Sequence, residues 1–226
     1  MATAKQITRI LPPIAPRLVA APIDYEPRFF EQYSNALRLY FNGVDTTFGS
    51  LFGSPKTGTN LHPGGSYLNF PYAAVQRTTD KTFTANTATL ITFDTTDYIN
   101  DCVNNGSNGI YANNAGIYNY QFSVQWKNTD SQAHDAWIWL RKNGTDVTGT
   151  ASQFTVPSKH GSVDGHLIAA ANFYVDMNAG DYVELWAAVD NISVSMEAYA
   201  AQTSPFAMPS IPSVVATLTF VSSIPA

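Results

Sequence analysis

Residues 118–126, YNYQFSVQW, place a large apolar side chain at every second position and a polar side chain between each pair. Because successive side chains of a strand point to opposite faces, this period of two predicts a half-buried β-strand with its rings on one side. Other strand-like runs lie on both sides of it: Leu90–Asp94, Ala136–Arg141, Phe154–Val156, Leu167–Val175, Tyr182–Val189, Ile192–Met196 and Val214–Phe220. Many short strands with turn signals between them predict an antiparallel β-sandwich or barrel over residues 72–226.

Two turns are marked by residue type. Asn143-Gly144 follows one strand-like run and is typical of a two-residue hairpin, because a type I′ turn needs a positive φ at both central residues. Gly180-Asp181 marks the second turn. We expect the Asp181 carboxylate to accept hydrogen bonds from turn N–H groups, since a lone carboxylate cannot supply the oxygen ligands that calcium requires.

Residues 24–52 carry the one helical pattern of the chain. Its seam has apolar residues at alternating steps of three and four: Phe30, Tyr33, Leu37, Tyr40 and Val44. We expect Asp24 to be the N-cap and Pro27 to lie in the first turn. A lone helix of this kind exposes a row of aromatic rings, so the seam must be covered. The cover is either the protein's own sheet or the equivalent helices of a trimer.

Residues 1–23 predict an extended arm, because Pro12, Pro13, Pro16 and Pro22 restrict the backbone to extended conformations. The arm is aliphatic rather than polar, which favours docking over disorder. Its partner is this protein's own body, a neighbouring copy or a different protein. The predicted docking residues are Ile10, Leu11, Ile14, Arg17, Leu18 and Val19. Residues 53–71, rich in Gly and Pro, predict a linker loop.

Composition excludes several classes of protein. Charged residues make up 13% of the chain, about half the usual share, which suits a β-rich protein with many turns. The net charge of -5 argues against a nucleic-acid partner. Cys102 is the single cysteine, so an internal disulfide and a cysteine zinc site are excluded. The prolines that interrupt residues 1–20 argue against a secretory signal or a membrane span, and predict synthesis in a cytoplasm.

Several segments resemble the jelly-roll domains of the C1q and tumour-necrosis-factor-like family. Ile110–Trp126 resembles the signature region of that family, with Gly116, Tyr118, Tyr120 and Phe122 in matching places. Leu140–Gly144 looks like its Asn-Gly hairpin, and Tyr174–Trp186 is similar to its Gly-Asp motif. The resemblance covers the C-terminal two-thirds of the chain. It implies a jelly roll that associates as a homotrimer, with the helix as a collar on the trimer axis.

The N-terminal stretch PRLVAAPIDYEPRFFEQYSNALRLYF, residues 16–41, looks like segments of tailed-bacteriophage virion proteins. In those proteins a docking arm and a short helix precede a C1q-like head. The resemblance implies a virion protein on the capsid exterior, made in the host cytoplasm. Its partners would be the major capsid protein or other virion proteins.

The sequence contains no convincing catalytic constellation. His134-Asp135 and Asp164 with His166 each place a carboxylate near an imidazole, and His160 would complete a metal site with Asp164 and His166. Polar loop residues give such pairs by chance, so we predict no enzyme, no cofactor and no metal.

Carbohydrate contact is the remaining chemistry that the residue types suggest. Trp126, Trp137, Trp139 and Trp186 have rings that could stack on sugars, but their place in strand patterns predicts mostly core or subunit interface. An exposed loop at Asn104–Asn114 is the better candidate for contact with a host-surface glycan.

The first functional hypothesis is therefore a non-enzymatic, trimeric capsid decoration (cement) or head-fibre protein, anchored by its arm and helix. The alternative is a receptor- or glycan-binding module at the tip of a tail fibre.

Overall fold

The structure is a computed structural model that describes Ile14, Pro16, Arg17, Asp24 and residues 26–52, 70–107 and 109–224. These residues form one helix and thirteen strands. The helix, α1, spans Pro27–Phe52. The strands are β1 (Tyr72–Arg77), β2 (Thr89–Ile91), β3 (Thr95–Asn100), β4 (Cys102–Asn104), β5 (Ile110–Ala112), β6 (Gly116–Asn128), β7 (His134–Lys142), β8 (Thr145–Asp146), β9 (Ser152–Val156), β10 (Gly165–Met177), β11 (Tyr182–Val189), β12 (Val194–Met196) and β13 (Val214–Ser222).

The chain divides into two compact units. One unit, residues 7–70, contains α1, and the other includes Pro71–Ala226 with all thirteen strands, here called the β unit. No helix in the described part of the chain is both long enough and apolar enough to cross a membrane.

The start of α1 differs from the prediction that Asp24 is its N-cap. The helix begins at Pro27, and the carbonyl of Glu26 accepts the first hydrogen bonds, from the N–H groups of Phe29 and Phe30. Asp24 lies too far upstream, because proline is best accommodated at the first helical position, where its missing N–H would have no partner. The expectation that Pro27 lies in the first turn is confirmed.

The helix continues through Asn42-Gly43 for a total of 26 residues. Glycine within a helix costs about 1 kcal/mol relative to alanine. The hydroxyls of Thr46 and Thr47 donate to the carbonyls of Asn42 and Gly43. These two hydrogen bonds add side-chain contacts to the turn of the helix that contains Gly43.

The β unit is an antiparallel sandwich, as predicted. A six-stranded sheet, sheet A, has the order β10-β6-β13-β1-β3, with β12 also paired to β6. A seven-stranded sheet, sheet B, has the order β4-β5-β11-β7-β8, with β2 on β11 and β9 on β7. The chain passes from β6 in sheet A to β7 and β9 in sheet B, returns to β10, crosses to β11 and ends in β13. This repeated exchange between sheets is the connectivity of a jelly roll.

The core lies between the sheets and is built on β6. Its side chains alternate between buried and more exposed, and the buried set is the one predicted: Tyr118, Tyr120, Phe122, Val124 and Trp126. Burial of each large apolar side chain contributes about 1.5–3 kcal/mol of stability. The strand is also paired on both sides along most of its length. It pairs with β10 over Gly116–Asn128 and with β13 over most of the same range.

Both turn predictions are confirmed. Asn143 and Gly144 have φ values of 52° and 80°, as a type I′ hairpin between β7 and β8 requires. The Asp181 carboxylate accepts from the Asn178 N–H at 2.8 Å and from the Asn143 side-chain amide at 2.8 Å. The carboxylate therefore joins the two turns.

The chain enters and leaves the β unit at the same pole. Residue Pro71 precedes β1, and its carbonyl accepts a hydrogen bond from the N–H of Phe220 in the last strand at 2.9 Å. The opposite ends of these two strands meet at Arg77 and Val214. Long connections, including residues 78–88 and 197–213, lie at that far pole.

Candidate functional site

The exposed apolar surface of α1 is wider than the predicted seam. Phe30 is 46% exposed and Tyr33 36%, while the other seam residues, Leu37, Tyr40 and Val44, are partly exposed. Outside the seam, Leu39 is 69% exposed and Phe41 57%. Sequence reasoning missed these two residues, although their apolar type beside the seam was a sufficient signal. A helix that is apolar over so much of its circumference needs cover from more than one direction.

The predicted docking arm is mostly outside the described residues. This applies to Ile10, Leu11, Leu18 and Val19. The two members that are described, Ile14 and Arg17, are both exposed.

Sheet A presents an uncharged outer face on three adjacent strands. Between Lys127 at one end and Asp176 at the other, the outward side chains of β10, β6 and β13 are apolar or neutral polar. Ile168 and Tyr174 on β10 are each 65% exposed. Among the described strands β10 pairs only with β6, so its second edge is open. An open edge beside an uncharged face is typical of a surface that contacts another subunit.

Sheet B carries three of the four tryptophans on its outer face. In β7 the buried residues are Ala136, Ile138 and Leu140. Trp137 and Trp139 alternate with them and share their face with Asp135 and Arg141. Trp186 of β11 pairs with Trp139. Core burial is confirmed for Trp126. Trp137, Trp139 and Trp186 are partly exposed and so lie outside the core, while the other predicted place for them, a subunit interface, stays a prediction.

Hydrogen bonds hold two of these outer indoles. The Trp139 N–H donates to the Asp146 carboxylate at 2.7 Å, and the Trp186 N–H donates to Glu184 at 3.2 Å. Arg141 donates to the same oxygen of Asp146 at 2.6 Å, and its guanidinium lies 3.9 Å from the ring centroid of Trp186. We call the set Trp137, Trp139, Trp186, Arg141, Asp146 and Glu184 the indole face. The hydrogen bonds from Arg141 and Trp139 lower the pKa of Asp146.

His134 does not pair with Asp135, its neighbour in the candidate pair. Its Nε2 lies 2.9 Å from Asp130 and its Nδ1 lies 3.5 Å from Asp190. The hydrogen bond from His134 lowers the pKa of Asp130. Asp135 instead accepts from Gln153 and Thr155, each at 2.7 Å. The imidazole is therefore hydrogen-bonded to Asp130 and lies near Asp190 at the far pole, which is a structural contact between connections.

The candidate set of His160, Asp164 and His166 has other partners in the structure. Asp164 lies 3.5 Å from Lys127 and 3.8 Å from Lys159, so cations occupy its surroundings. The His166 ring contacts Tyr199 instead, with 6.3 Å between ring centroids. The described residues contain no group of three or more His, Cys, Asp or Glu side chains suited to a metal ion.

The stretch Asn104–Asn114 is only in part the exposed loop that the sequence predicts. Its second half contains β5, in which Ile110 and Ala112 are fully buried, and Asn114 is 5% exposed. The Tyr118 hydroxyl donates to the Asn114 carbonyl at 2.9 Å. Among the described residues of this stretch, Asn105–Ser107 and Asn113 are exposed, so it offers less accessible surface for a glycan than the sequence suggests.

Cys102 is a buried thiol at the start of β4. Desolvation, with a smaller contribution from the charge of Asp101, raises its pKa to about 12. At pH 8 the thiolate fraction of a group with that pKa is about one in ten thousand, and the thiolate is the reactive form.

We therefore expect iodoacetamide at pH 8 to leave the native protein unmodified and to alkylate Cys102 after unfolding in urea. Mass spectrometry of the intact chain would measure both states. Because Cys102 is the single cysteine, the unfolded sample is the control for full labelling. Rapid alkylation of the native protein would show that β4 opens locally.

Comparisons with known proteins find similarity among solved structures and none among family models or curated sequences. No protein-family model matches the chain, and no curated protein sequence matches it. Among solved structures, the globular domain of a zebrafish complement 1qA protein is similar to 69% of this chain over 99% of its own length, with 11% sequence identity and a TM-score of 0.38. The function must therefore be argued from the surfaces of the chain itself.

Proposed function

We propose that this chain is a non-enzymatic structural protein of a bacteriophage particle, a homotrimer that decorates the capsid exterior. Residues 1–23 and α1 attach it, and the β unit is the head that the particle presents. The observation that carries the proposal is the exposed apolar surface of α1, with Leu39 at 69% and Phe41 at 57% exposure. Exposed apolar surface of this kind marks a site of contact with a partner.

Separate surfaces suit contact between subunits and contact with the capsid. The seam of α1 suits contact with equivalent helices, and the uncharged outer face of sheet A suits contact between heads. Leu39 and Phe41 lie outside the seam and remain available for the capsid. The candidate catalytic residues support a structural role, because His134, Asp135 and Asp164 contact neighbouring loops and strands instead of converging.

The attachment role predicts the behaviour of a protein that lacks residues 1–23. We expect the truncated protein to remain a soluble trimer and to lose binding to particles, because the aliphatic arm no longer buries surface on the capsid. The measurement is co-sedimentation with particles stripped of this protein. Full-length Phe206→Ala, altered at an exposed residue of the β unit, is the control and should bind normally. Normal attachment of the truncated protein would contradict the anchoring role.

A second candidate is a receptor- or glycan-binding module at the tip of a tail fibre. The partly exposed tryptophans of sheet B favour it. Copy number separates the two functions, because decoration places the protein on many capsid subunits and a tail tip holds only a few copies. Labelling of the protein on intact particles would show which distribution is present.

A further inference from the structure

The indole face places three tryptophan side chains on the solvent side of sheet B. Large apolar side chains on the solvent side of a sheet lose the stabilisation that burial would give them, so an outward cluster of three indoles is informative. Trp137 and Trp139 are two residues apart on β7, which separates them by about 7 Å along the strand. Trp186 lies directly opposite Trp139 on the adjacent strand.

The hydrogen bonds fix the direction of two rings. The N–H of Trp186 reaches Glu184, two residues earlier on the same strand, so this ring runs along β11. The N–H of Trp139 reaches Asp146 on β8, so this ring runs across the sheet. Each of these two rings is therefore tied to a neighbouring carboxylate on the same side of the sheet. Their positions are set before any ligand arrives, which lowers the ordering cost of binding.

The charges of this face limit its ligand. Arg141, the cation of the face, already contacts Asp146 and Trp186. Asp146 and Glu184 are the carboxylates of the face, both beside Arg141, and Asp135 lies on the same side of the sheet near the other end of β7. One positive and three negative groups disfavour an anionic ligand such as a nucleic acid, an acidic polysaccharide or an acidic peptide.

A neutral sugar chain suits both the exposed indole rings and the excess of carboxylates on this face. Its C–H faces pack on indole rings, and its hydroxyl groups donate to carboxylates that keep acceptor capacity. Asp146 has such capacity, because its side chain is 64% exposed and its hydrogen bonds from Trp139 and Arg141 both end on Oδ1. We propose that the indole face of sheet B binds a neutral polysaccharide, with Trp137 and Trp139 as the stacking residues and Asp146 as a hydroxyl acceptor.

This site is separate from the attachment proposed above, because it uses only residues of the β unit. Loss of attachment in the protein without residues 1–23 would leave sugar binding unchanged. Loss of sugar binding in a tryptophan variant would leave attachment unchanged. The two proposals therefore fail independently.

The test is affinity electrophoresis of the full-length protein in gels that contain one polysaccharide each. The neutral probes are dextran, a mixed-linkage β-glucan, a galactomannan and xylan, and polygalacturonate is the anionic probe. Trp139→Ala removes a ring and its hydrogen bond to Asp146. Trp137→Ala removes a ring for which the described residues show no hydrogen bond, so it tests stacking without disturbing the network. Phe206→Ala is the matched control, since it removes an aromatic ring that is 60% exposed elsewhere on the β unit.

We expect at least one neutral polysaccharide to retard the wild-type protein and the Phe206→Ala control. Each tryptophan substitution should raise the dissociation constant about tenfold. The proposal is wrong if no neutral probe retards the protein, if both tryptophan variants bind like wild type, or if polygalacturonate binds the indole face as tightly. A tryptophan variant that changes the mass of the assembly, with no retardation of wild type, would instead make the face a contact between copies.

Discussion

Leu37→Asp combined with Tyr40→Asp is expected to convert the proposed trimer into a monomer whose β unit remains folded. Both residues belong to the seam of α1, where equivalent helices would bury them. A carboxylate in such a contact loses its hydration without gaining a cation, at a cost of several kcal/mol per charge. Sedimentation equilibrium would measure a fall in mass to one third, and near-ultraviolet circular dichroism would show whether the tryptophans keep their environment.

Leu39→Asp is the matched control for the seam. It introduces the same charge into the same helix at a position that is 69% exposed and outside the seam. We expect this variant to stay trimeric and to bind particles more weakly. If Leu39→Asp dissociates the protein and the seam variant does not, the helix associates through a different face.

Gly165→Ala is expected to destabilise the β unit by about 3 kcal/mol or more. A Cβ at this first residue of β10 would overlap the Pro157 carbonyl oxygen far inside van der Waals contact, so one of the two backbones must move. That carbonyl also accepts from the buried Asn128 side-chain amide at 3.2 Å. Overpacking typically costs 1–3 kcal/mol, and loss of a buried hydrogen bond costs a similar amount.

Gly161→Ala is the control for Gly165→Ala, because it introduces backbone strain without a steric clash. Gly161 has a φ of 62° and no atom within 4 Å of its added Cβ, so its substitution costs about 1 kcal/mol of backbone strain alone. Urea unfolding of both variants at one protein concentration would compare them. Equal stability losses would show that the Pro157 connection moves away easily and that the approach to Gly165 is not tight.

The sequence was sufficient for the sandwich, because alternation along residues 118–126 directly reflects which side chains face the core. The same alternation could have placed the outer tryptophans correctly. Trp137 and Trp139 share their phase with Asp135 and Arg141, and a charged residue identifies the solvent face of a half-buried strand. Core burial was expected for them because apolar character was given more weight than phase, and a subunit interface, their other predicted place, stays a prediction.

Other features depend on distance in the fold and cannot be read from neighbouring residues. His134 contacts Asp190 because β7 and β11 pair with Ala136 opposite Val189, and only the register brings the two together. The strand β5 is three residues long. A strand of that length is too short for alternation to distinguish it from the Asn- and Gly-rich turn that precedes it.

The hydrogen bond between Phe220 and Pro71 has a consequence for evolution and engineering. A fold whose entrance and exit are adjacent can be replaced as a cassette, since a new insert needs to satisfy only one short junction. For the same reason, foreign peptides inserted into the connection of residues 197–213 would be displayed at the pole opposite that junction.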